Sequence, residues 1–232
     1  MSKTIVVVGF GPGVSTAVAE KFGAAGFSVA LIARNRERLA TGVEALKAKG
    51  VAAAAFQADA GDPASIREAI GKSRAELGPI AVIHWNAFGG AEAGDLLTAN
   101  PAALKGIFDI AIVGLLAAVQ ETLPDLKSTK EGAVLVTNGA FGEMTPQIDE
   151  FAVSVKVMGI ALANTAKDKL VGLLAQRLKG EGVYVGEVVI SGTVKGTPWD
   201  SGNGIEPAKI ADTFWELYQA RSEVRARIAP IL

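Results

Sequence analysis

The chain has 232 residues, 23 of them basic and 24 acidic, so its formal net charge is −1. This balance excludes a strong field directed at nucleic acid or an anionic membrane. The absence of cysteine excludes disulfides and cysteine-ligated metals, and a single histidine, His84, excludes a multi-histidine site, so no metal is expected. Half of the residues are hydrophobic and no linker or repeat divides the chain, which predicts one domain, residues 1–232.

The sequence also predicts a soluble, cytoplasmic protein. No apolar run approaches the roughly 18 residues that span a bilayer. Met1-Ser2-Lys3 leads directly into a strand, which leaves no room for a signal peptide.

Strands and helices alternate along the chain. Short apolar runs predict strands at 5–8, 28–33, 51–56, 80–85, 133–137 and 183–190, with a short final strand at 227–232. Helices are expected between these strands. The first ends at Gly26, the second begins at Asn35 and ends at Gly50, and the third begins at Asp62-Pro63. The fourth occupies 101–123 and is ended by Pro124, a further helical stretch reaches 179, and the last helix lies within 205–221. This order predicts an α/β fold, a doubly wound parallel sheet in a three-layer α/β/α arrangement (Rossmann fold), with ligand bound beyond the carboxyl ends of the strands.

A glycine-rich turn follows the first strand. It contains Gly9, Gly11, Pro12, Gly13 and Val14. Glycines at this place permit a tight turn and a close approach of backbone to a pyrophosphate at the amino terminus of the next helix. We therefore expect the turn to bind a dinucleotide.

The end of the second strand indicates which dinucleotide. An NAD site usually has an acidic residue here, to bind the ribose 2′-hydroxyl. This chain has Arg34 and Asn35 instead, and a guanidinium suits a 2′-phosphate. The expected cofactor is NADP(H).

These segments together resemble the short-chain dehydrogenase/reductase family. The turn Val8-Gly9 to Gly13-Val14-Ser15 is similar to the TGxxxGxG of that family, and Trp85-Asn86-Ala87-Phe88 is similar to its NNAG. The resemblance implies that further residues bind the cofactor: Asp59 and Ala60 at the adenine, Asn86, Ala87 and Phe88 after the fourth strand, and Gly192, Val194 and Thr197 at the nicotinamide. It also implies a homodimer or homotetramer.

The same resemblance implies a catalytic Ser-Tyr-Lys set, usually joined by Asn, that this chain lacks. Ala111 stands at the Asn position and Asn138 or Gly139 at the Ser position. For the Tyr-Lys pair, one register gives Ala152 and Lys156, and a second, slightly favoured, gives Ile160 and Asn164. The wider spacing of the related enoyl-acyl carrier protein reductases gives Val155 and Leu162. No register restores a tyrosine, since the chain has only Tyr184 and Tyr218.

Other side chains could replace part of this chemistry. Lys156 and Asn138 are the candidate catalytic residues, and Thr137, Asp149 and Glu150 are further polar groups near the predicted site. His84 lies inside a strand and is expected to be a hydrogen-bonded core residue.

Apolar residues stand in the segments that would flank the nicotinamide: Phe88, Phe141, Met144, Phe151, Met158 and Trp199. They indicate either a pocket for an apolar, carbonyl-type small molecule, or core packing, or an oligomer interface. Two functions remain open: an NADP(H)-dependent oxidoreductase acting on a carbonyl or other polarised double bond, and a catalytically inactive NADPH-binding sensor or scaffold.

Overall fold

A seven-stranded parallel sheet forms the middle layer of the protein. The computed structural model describes residues 3–89, 93–200 and 202–230. The strands are β1 Lys3–Val8, β2 Phe27–Ala33, β3 Ala53–Gln57, β4 Ile80–Trp85, β5 Ala133–Gly139, β6 Tyr184–Ile190 and β7 Arg225–Ile228. Their order in the sheet is β3-β2-β1-β4-β5-β6-β7.

Helices cover both faces of this sheet. They are α1 Val14–Ala24, α2 Arg36–Ala48, α3 Pro63–Leu77, α4 Pro101–Phe108, α5 Leu115–Ser128, α6 Pro146–Ser154, α7 Met158–Leu178 and α8 Pro207–Ala220. A π-helical segment, Asp109–Gly114, joins α4 to α5. The predicted caps of α2 and α3 are confirmed, because the Asn35 side chain accepts a hydrogen bond from Arg38 N and that of Asp62 accepts one from Ala64 N.

Alternate residues of each central strand enter two separate cores. Ile5 and Val7 of β1 pack in the core that also contains Phe22 of α1 and Phe214 of α8. The other core contains Val6 and Val8 of β1, Ile70 of α3, Leu115 of α5 and Val171 of α7. A parallel sheet buried on both faces is what the continuous apolar runs predict, so the three-layer Rossmann fold is confirmed.

The order of the strands reverses at β1. This strand pairs with β2 on one side and β4 on the other. The connections from β1 and β4 therefore leave in opposite directions, and a crevice opens between them beyond the carboxyl ends of the strands. The fold thus places the predicted cofactor turn beside the end of β4.

The prediction that Pro124 ends the fourth helix is wrong, because α5 continues to Ser128 with Pro124 inside it. Proline removes one backbone hydrogen bond from the helix. The last turn is nevertheless held in place, since Leu126 is fully buried and the Asp125 carboxylate accepts a 2.6 Å bond from Arg74 Nε on α3.

The helical stretch predicted to reach residue 179 is interrupted. The chain leaves the helix between α6 and α7, and Lys156 at this break has a φ of 54°.

The predicted third strand begins two residues later than expected, at Ala53. The last strand is displaced to Arg225–Ile228, and positions 231–232 of the predicted strand lie outside the described residues.

The helical stretch Pro101–Ser128 is long and apolar enough, by length and composition alone, to cross a membrane, with a mean hydropathy of 2.0. The sequence prediction that no such run exists is therefore wrong. However, α5 packs on α3 and β4 in the outer layer of the domain. This position is that of a layer helix in a soluble fold.

Two glycines of this stretch predict opposite effects of the same substitution. A Cβ on Gly114 would lie 1.9 Å from the carbonyl oxygen of Ala60, whereas one on Gly106 in α4 would meet nothing within 4 Å. We expect Gly114→Ala to lower the free energy of unfolding by about 1–3 kcal/mol, because backbone must move. Gly106→Ala should raise it by about 0.4–1 kcal/mol. Urea denaturation of both variants measures this, and equal effects would contradict the close packing of the π-helical segment.

Candidate active site and cofactor cleft

Two adjoining cavities lie at the carboxyl edge of the sheet. The smaller, of about 320 Å³, lies beyond β1, β2 and β3. The larger, of about 750 Å³, extends from β1 past β5 and β6. Their linings share Gly9, Phe10, Arg38, Asn86 and Phe88, so together they form one continuous cleft.

The structure brings nearly all of the predicted cofactor residues to this cleft. Those lining one or both cavities are Gly9, Gly11, Pro12, Val14, Arg34, Asn35, Asp59, Ala60, Asn86, Ala87, Phe88, Gly192, Val194 and Thr197. Gly13 is the exception. A Cβ at Gly13 would lie 2.8 Å from the Thr197 methyl group, so this glycine lets the turn pack against the loop after β6.

The turn after β1 is held by its neighbours on both sides. Gly9 N and Phe10 N both donate to Ile32 O of β2, at 2.9 and 3.0 Å. On the other side, Asn86 N donates to Val8 O at 2.8 Å and Asn86 Nδ2 to Gly9 O at 3.3 Å. Gly9 has a φ of 83°, and a Cβ there would lie 2.4 Å from Ala87 N. Only glycine fits this position.

Hydroxyl groups fix the second half of the turn. Gly11 N donates to Ser15 Oγ at 2.9 Å, and the hydroxyls of Ser15 and Thr16 donate to Gly11 O at 2.9 and 2.7 Å. The amino terminus of α1 follows directly at Val14, and Gly11, Pro12 and Val14 line the cleft there. The partial positive charge of a helix amino terminus favours an anion at this point.

Two arginines lie at the smaller cavity. Arg34 follows β2 and Arg38 lies in the first turn of α2; both are exposed. Neither guanidinium forms an ion pair with a carboxylate of the described residues. The predicted cofactor residues do not include Arg38, although it stands only four positions after Arg34 in the sequence.

The carboxyl end of β5 presents Thr137 and Asn138 to the larger cavity. Thr137 Oγ1 and His84 Nε2 lie 3.0 Å apart in a hydrogen bond, and His84 is fully buried, which confirms the prediction of a core histidine. Burial lowers the pKa of His84 to about 3, so its ring stays neutral at ordinary pH. Asn138 is also buried, and its Nδ2 donates to Asn164 O at 3.0 Å and Glu187 Oε1 at 2.8 Å.

The two registers for the Tyr-Lys pair are placed differently. Ile160 and Asn164 of α7 line the larger cavity. Lys156 is exposed at the break between α6 and α7, Ala152 is buried, and neither belongs to the described lining of the cleft. For the third spacing, Val155 lines the cavity but Leu162 does not.

The remaining predicted groups separate into apolar walls and surface residues. Asp149 and Glu150 are exposed on α6 and stay outside the described lining. Four of the six predicted apolar residues line the cleft, and two of these, Phe141 and Phe151, stack with ring centroids 5.7 Å apart. The members are Phe88, Phe141, Phe151 and Trp199, while Met144 and Met158 do not contribute.

The two tyrosines have structural partners. Tyr184 donates to Glu223 O at 2.6 Å, and Tyr218 donates to Glu131 Oε2 at 3.2 Å. Burial raises the pKa of Tyr184 to about 12 and raises that of Tyr218 further. Neither lies among the described residues that line the cleft.

A buried charged group at the larger cavity is absent from the sequence analysis. Lys167 of α7 is 3% exposed and lines this cavity, and Glu187 of β6 is fully buried behind it. Burial lowers the pKa of Lys167 to about 8, against the opposing effect of the Glu187 charge. Two signals in the sequence could have indicated Lys167 and Glu187. One is a carboxylate inside the apolar run of β6, and the other is a lysine three residues after Asn164 on the same helical face.

The chain matches the family model for short chain dehydrogenases over residues 3–197. It belongs to the short chain dehydrogenase family. A short chain dehydrogenase of Pseudocercospora fijiensis is 31% identical over 184 residues, which cover 78% of this chain but only 56% of the fungal protein. A 3-oxoacyl-[acyl-carrier-protein] reductase of Staphylococcus epidermidis is 25% identical over 171 residues, covering 73% of this chain and 70% of the reductase.

Solved structures of the family share the fold of this short chain dehydrogenase. A metagenomic short-chain oxidoreductase in complex with NADP aligns with a TM-score of 0.83 at 23% identity, covering 99% of this chain and 98% of the oxidoreductase. The fold is therefore preserved although three quarters of the residues differ.

The buried lysine predicts an unusual dependence of stability on pH. Below pH 8, Lys167 is charged in both the folded and unfolded states, so the folded protein bears the cost of burying the ammonium. As pH rises from about 8 toward 10.5, the folded form is already neutral while the unfolded form still binds a proton, so the cost disappears. We expect Lys167→Met to raise the free energy of unfolding at pH 7 by about 1–4 kcal/mol.

That gain should shrink toward zero by pH 10.5. Urea denaturation across pH 6–10.5 measures it, with Lys169→Met, an exposed lysine two residues along α7, as the matched control. A gain independent of pH would show that Lys167 is not a buried ammonium.

Proposed function

We propose that this chain is an NADP(H)-dependent oxidoreductase that transfers hydride between the nicotinamide and a carbonyl, or another polarised double bond, of a small apolar molecule. The observation that supports it best is the continuous cleft beside the turn at Gly9, with Arg34 and Arg38 at one end and apolar walls at the other. Family membership supports an oxidoreductase, and a solved neighbour of the same fold holds NADP.

The residues of the cleft fit the cofactor. The turn presents backbone at Gly9 and Gly11, where a side chain is excluded or absent, to the pyrophosphate at the amino terminus of α1. Arg34 and Arg38 would bind the 2′-phosphate, since no described carboxylate neutralises them. Asp59 and Ala60 line the smaller cavity, where the adenine would lie.

The nicotinamide would lie in the larger cavity, near Gly192, Val194 and Thr197 of the loop after β6. This loop is fixed, because Thr197 Oγ1 donates to Val194 O at 2.7 Å. Bound NADPH supplies the hydride. The protein positions the substrate against the apolar residues, including Phe141 and Phe151, and excludes water from the reacting carbon.

The active site is atypical for the family in this proposal. In the register slightly favoured by the sequence, Ala111, Asn138 or Gly139, Ile160 and Asn164 stand where the resemblance implies Asn, Ser, Tyr and Lys, and all of them line the cavity. The lack of any tyrosine in the described lining favours the second candidate function, an NADPH-binding sensor or scaffold without turnover. Loss of a general acid lowers a rate by roughly 10²–10⁴-fold without abolishing it, so the enzyme remains the first choice.

We further propose a cytoplasmic homodimer or homotetramer. The helical stretch Pro101–Ser128 is apolar, yet only 39% of its most apolar window is buried within one chain. A second copy packed on this stretch would cover it.

The enzyme and sensor functions are distinguished by mixing the protein with NADPH and a panel of benzaldehyde, acetophenone and decanal while the absorbance of NADPH is followed. Turnover supports the oxidoreductase. Tight NADPH binding without turnover of any carbonyl would leave the sensor or scaffold.

Arg34 provides the test of cofactor choice. We expect Arg34→Asp to weaken NADPH binding by roughly 10- to 100-fold, because a charge-assisted hydrogen bond is lost and a repulsive carboxylate is added. NADH, which lacks the 2′-phosphate, should lose much less. Titration calorimetry measures both affinities.

The control for this experiment is Arg36→Ala. Arg36 donates to Gln57 Oε1 at 2.5 Å and does not line the described cleft, so its loss should leave NADPH affinity unchanged. Equal NADPH affinity in wild type and Arg34→Asp would refute the assignment of Arg34.

A further inference from the structure

Lys167 is a buried cation at the inner part of the cleft. Among the described residues that line the larger cavity, only Lys167 and Arg38 are charged, and Arg38 also belongs to the smaller cavity. Lys167 is 3% exposed, and none of the described residues forms a hydrogen bond with its ammonium or an ion pair within 4.0 Å. A buried ammonium without a protein partner is costly, so a group of this kind is retained for something other than stability.

The charge that acts on Lys167 belongs to a hydrogen-bonded group built from three other segments. Glu187 of β6 is fully buried and acts on Lys167 through its charge. Arg225 of β7 donates to Glu187 Oε2 at 3.0 Å and to Asp168 Oδ1 of α7 at 2.5 Å. Asn138 of β5 donates to the other oxygen, Glu187 Oε1. Both carboxylate oxygens are therefore held by donors, which fixes the position of the Glu187 carboxyl group.

The orientation of the Asn138 amide is determined by these contacts. Its Nδ2 faces two acceptors, Asn164 O and Glu187 Oε1, so the reverse orientation would place oxygen against oxygen. Its Oδ1 is buried and has no hydrogen-bond partner. Asn138 and Lys167 both line the larger cavity.

We propose that Lys167 is the catalytic acid and base of the hydride-transfer reaction, which rests on the function proposed above. In reduction, the carbonyl carbon accepts hydride from NADPH while the carbonyl oxygen takes a proton from the Lys167 ammonium. The C=O π bond breaks, a C–H and an O–H bond form, and the products are an alcohol, NADP⁺ and a neutral amine. Lys167 then regains its proton from solvent. In oxidation, the neutral amine accepts the hydroxyl proton.

The titration of Lys167 suits this role. Burial lowers its pKa to about 8, close to the pH at which a general acid works best. Burial, together with the like charge of Asp168, raises the pKa of Glu187, while Asn138 and Arg225 lower it. The ring of His84 lies against that of Phe214 of α8, with ring centroids 4.8 Å apart, and the neutral His84 cannot supply a pH transition near 8.

The test compares wild type, Lys167→Met, Lys167→Arg and Glu187→Gln in the reduction of a panel carbonyl by NADPH from pH 6 to 10. Wild-type kcat should be flat at low pH and fall above about 8. Lys167→Met should lower kcat by roughly 10²- to 10⁴-fold and abolish the pH transition. Lys167→Arg should not restore the transition, because guanidinium does not release its proton in this range. Glu187→Gln should move it to lower pH, since a charge that favours the ammonium is removed.

A second measurement needs neither cofactor nor substrate. The side-chain ¹³Cε and ¹⁵Nζ resonances of labelled lysine are titrated in the free protein, with the Lys167 signal assigned by its loss in Lys167→Met. A midpoint near pH 8 that falls in Glu187→Gln supports the proposal. A midpoint near the ordinary 10.5 overturns it.

The outcomes separate the two proposals. If Lys167→Met binds NADPH with unchanged affinity but has lost turnover, the role of Lys167 is supported. Turnover and a pH profile like those of wild type in Lys167→Met overturn that role alone. Absence of NADPH binding or of any carbonyl reduction in wild type overturns the proposed function and this role together. Lys169→Met is the control for substitution on α7, and it should match wild type throughout.

Discussion

The cleft depends on the contact between Gly9 and Ala87. The backbone that leaves β1 passes so close to the backbone that leaves β4 that a Cβ on Gly9 would lie 2.4 Å from Ala87 N. Asn86 stabilises this contact with two hydrogen bonds, because its backbone N donates to Val8 O and its side-chain Nδ2 donates to Gly9 O. Because Gly9 and Asn86 line both cavities, the contact is also the point at which the two halves of the cleft meet. A side chain at position 9 would separate the strand ends and alter both halves at once.

The fold and the end of the cleft at the glycine turn and Arg34 could be predicted because their signals are local. Apolar runs buried on both faces define the strands, and the glycine turn and Arg34 adjoin single strands. The inner part of the larger cavity could not be predicted in this way. Lys167 and Glu187 are 20 positions apart in the sequence and meet only because α7 packs on the sheet beside β6. Pro124 shows the same limit, since its local preference to end a helix is outweighed by the burial of Leu126 and the Arg74–Asp125 pair.

The group around Glu187 shows how a charge can be kept inside an apolar layer. Two donors on separate strands, Asn138 and Arg225, satisfy the two oxygens of its carboxylate. Arg225 itself reaches the surface, where it pairs with Asp168. Removing one member would leave a buried charge or acceptor unpaired, so the group constrains β5, β6, β7 and α7 jointly. Lys167 stands outside this set of hydrogen bonds, and it lines the larger cavity together with Asn138.

In the register that places Ile160 and Asn164 at the Tyr-Lys pair, the residues at the positions of the family's catalytic set fit one another. A Cβ on Gly139 would lie 2.7 Å from Asn164 Nδ2, so the amide of Asn164 occupies the space that a side chain at position 139 would need. Asn164 O in turn accepts from Asn138, which binds Glu187. A side chain at 139 would therefore require the Asn164 amide to move, and a different residue at 164 would change the group behind it. Because Lys167 lies one helical turn beyond Asn164 on α7 and lines the same cavity, a change at position 164 would also alter the surroundings of its amine.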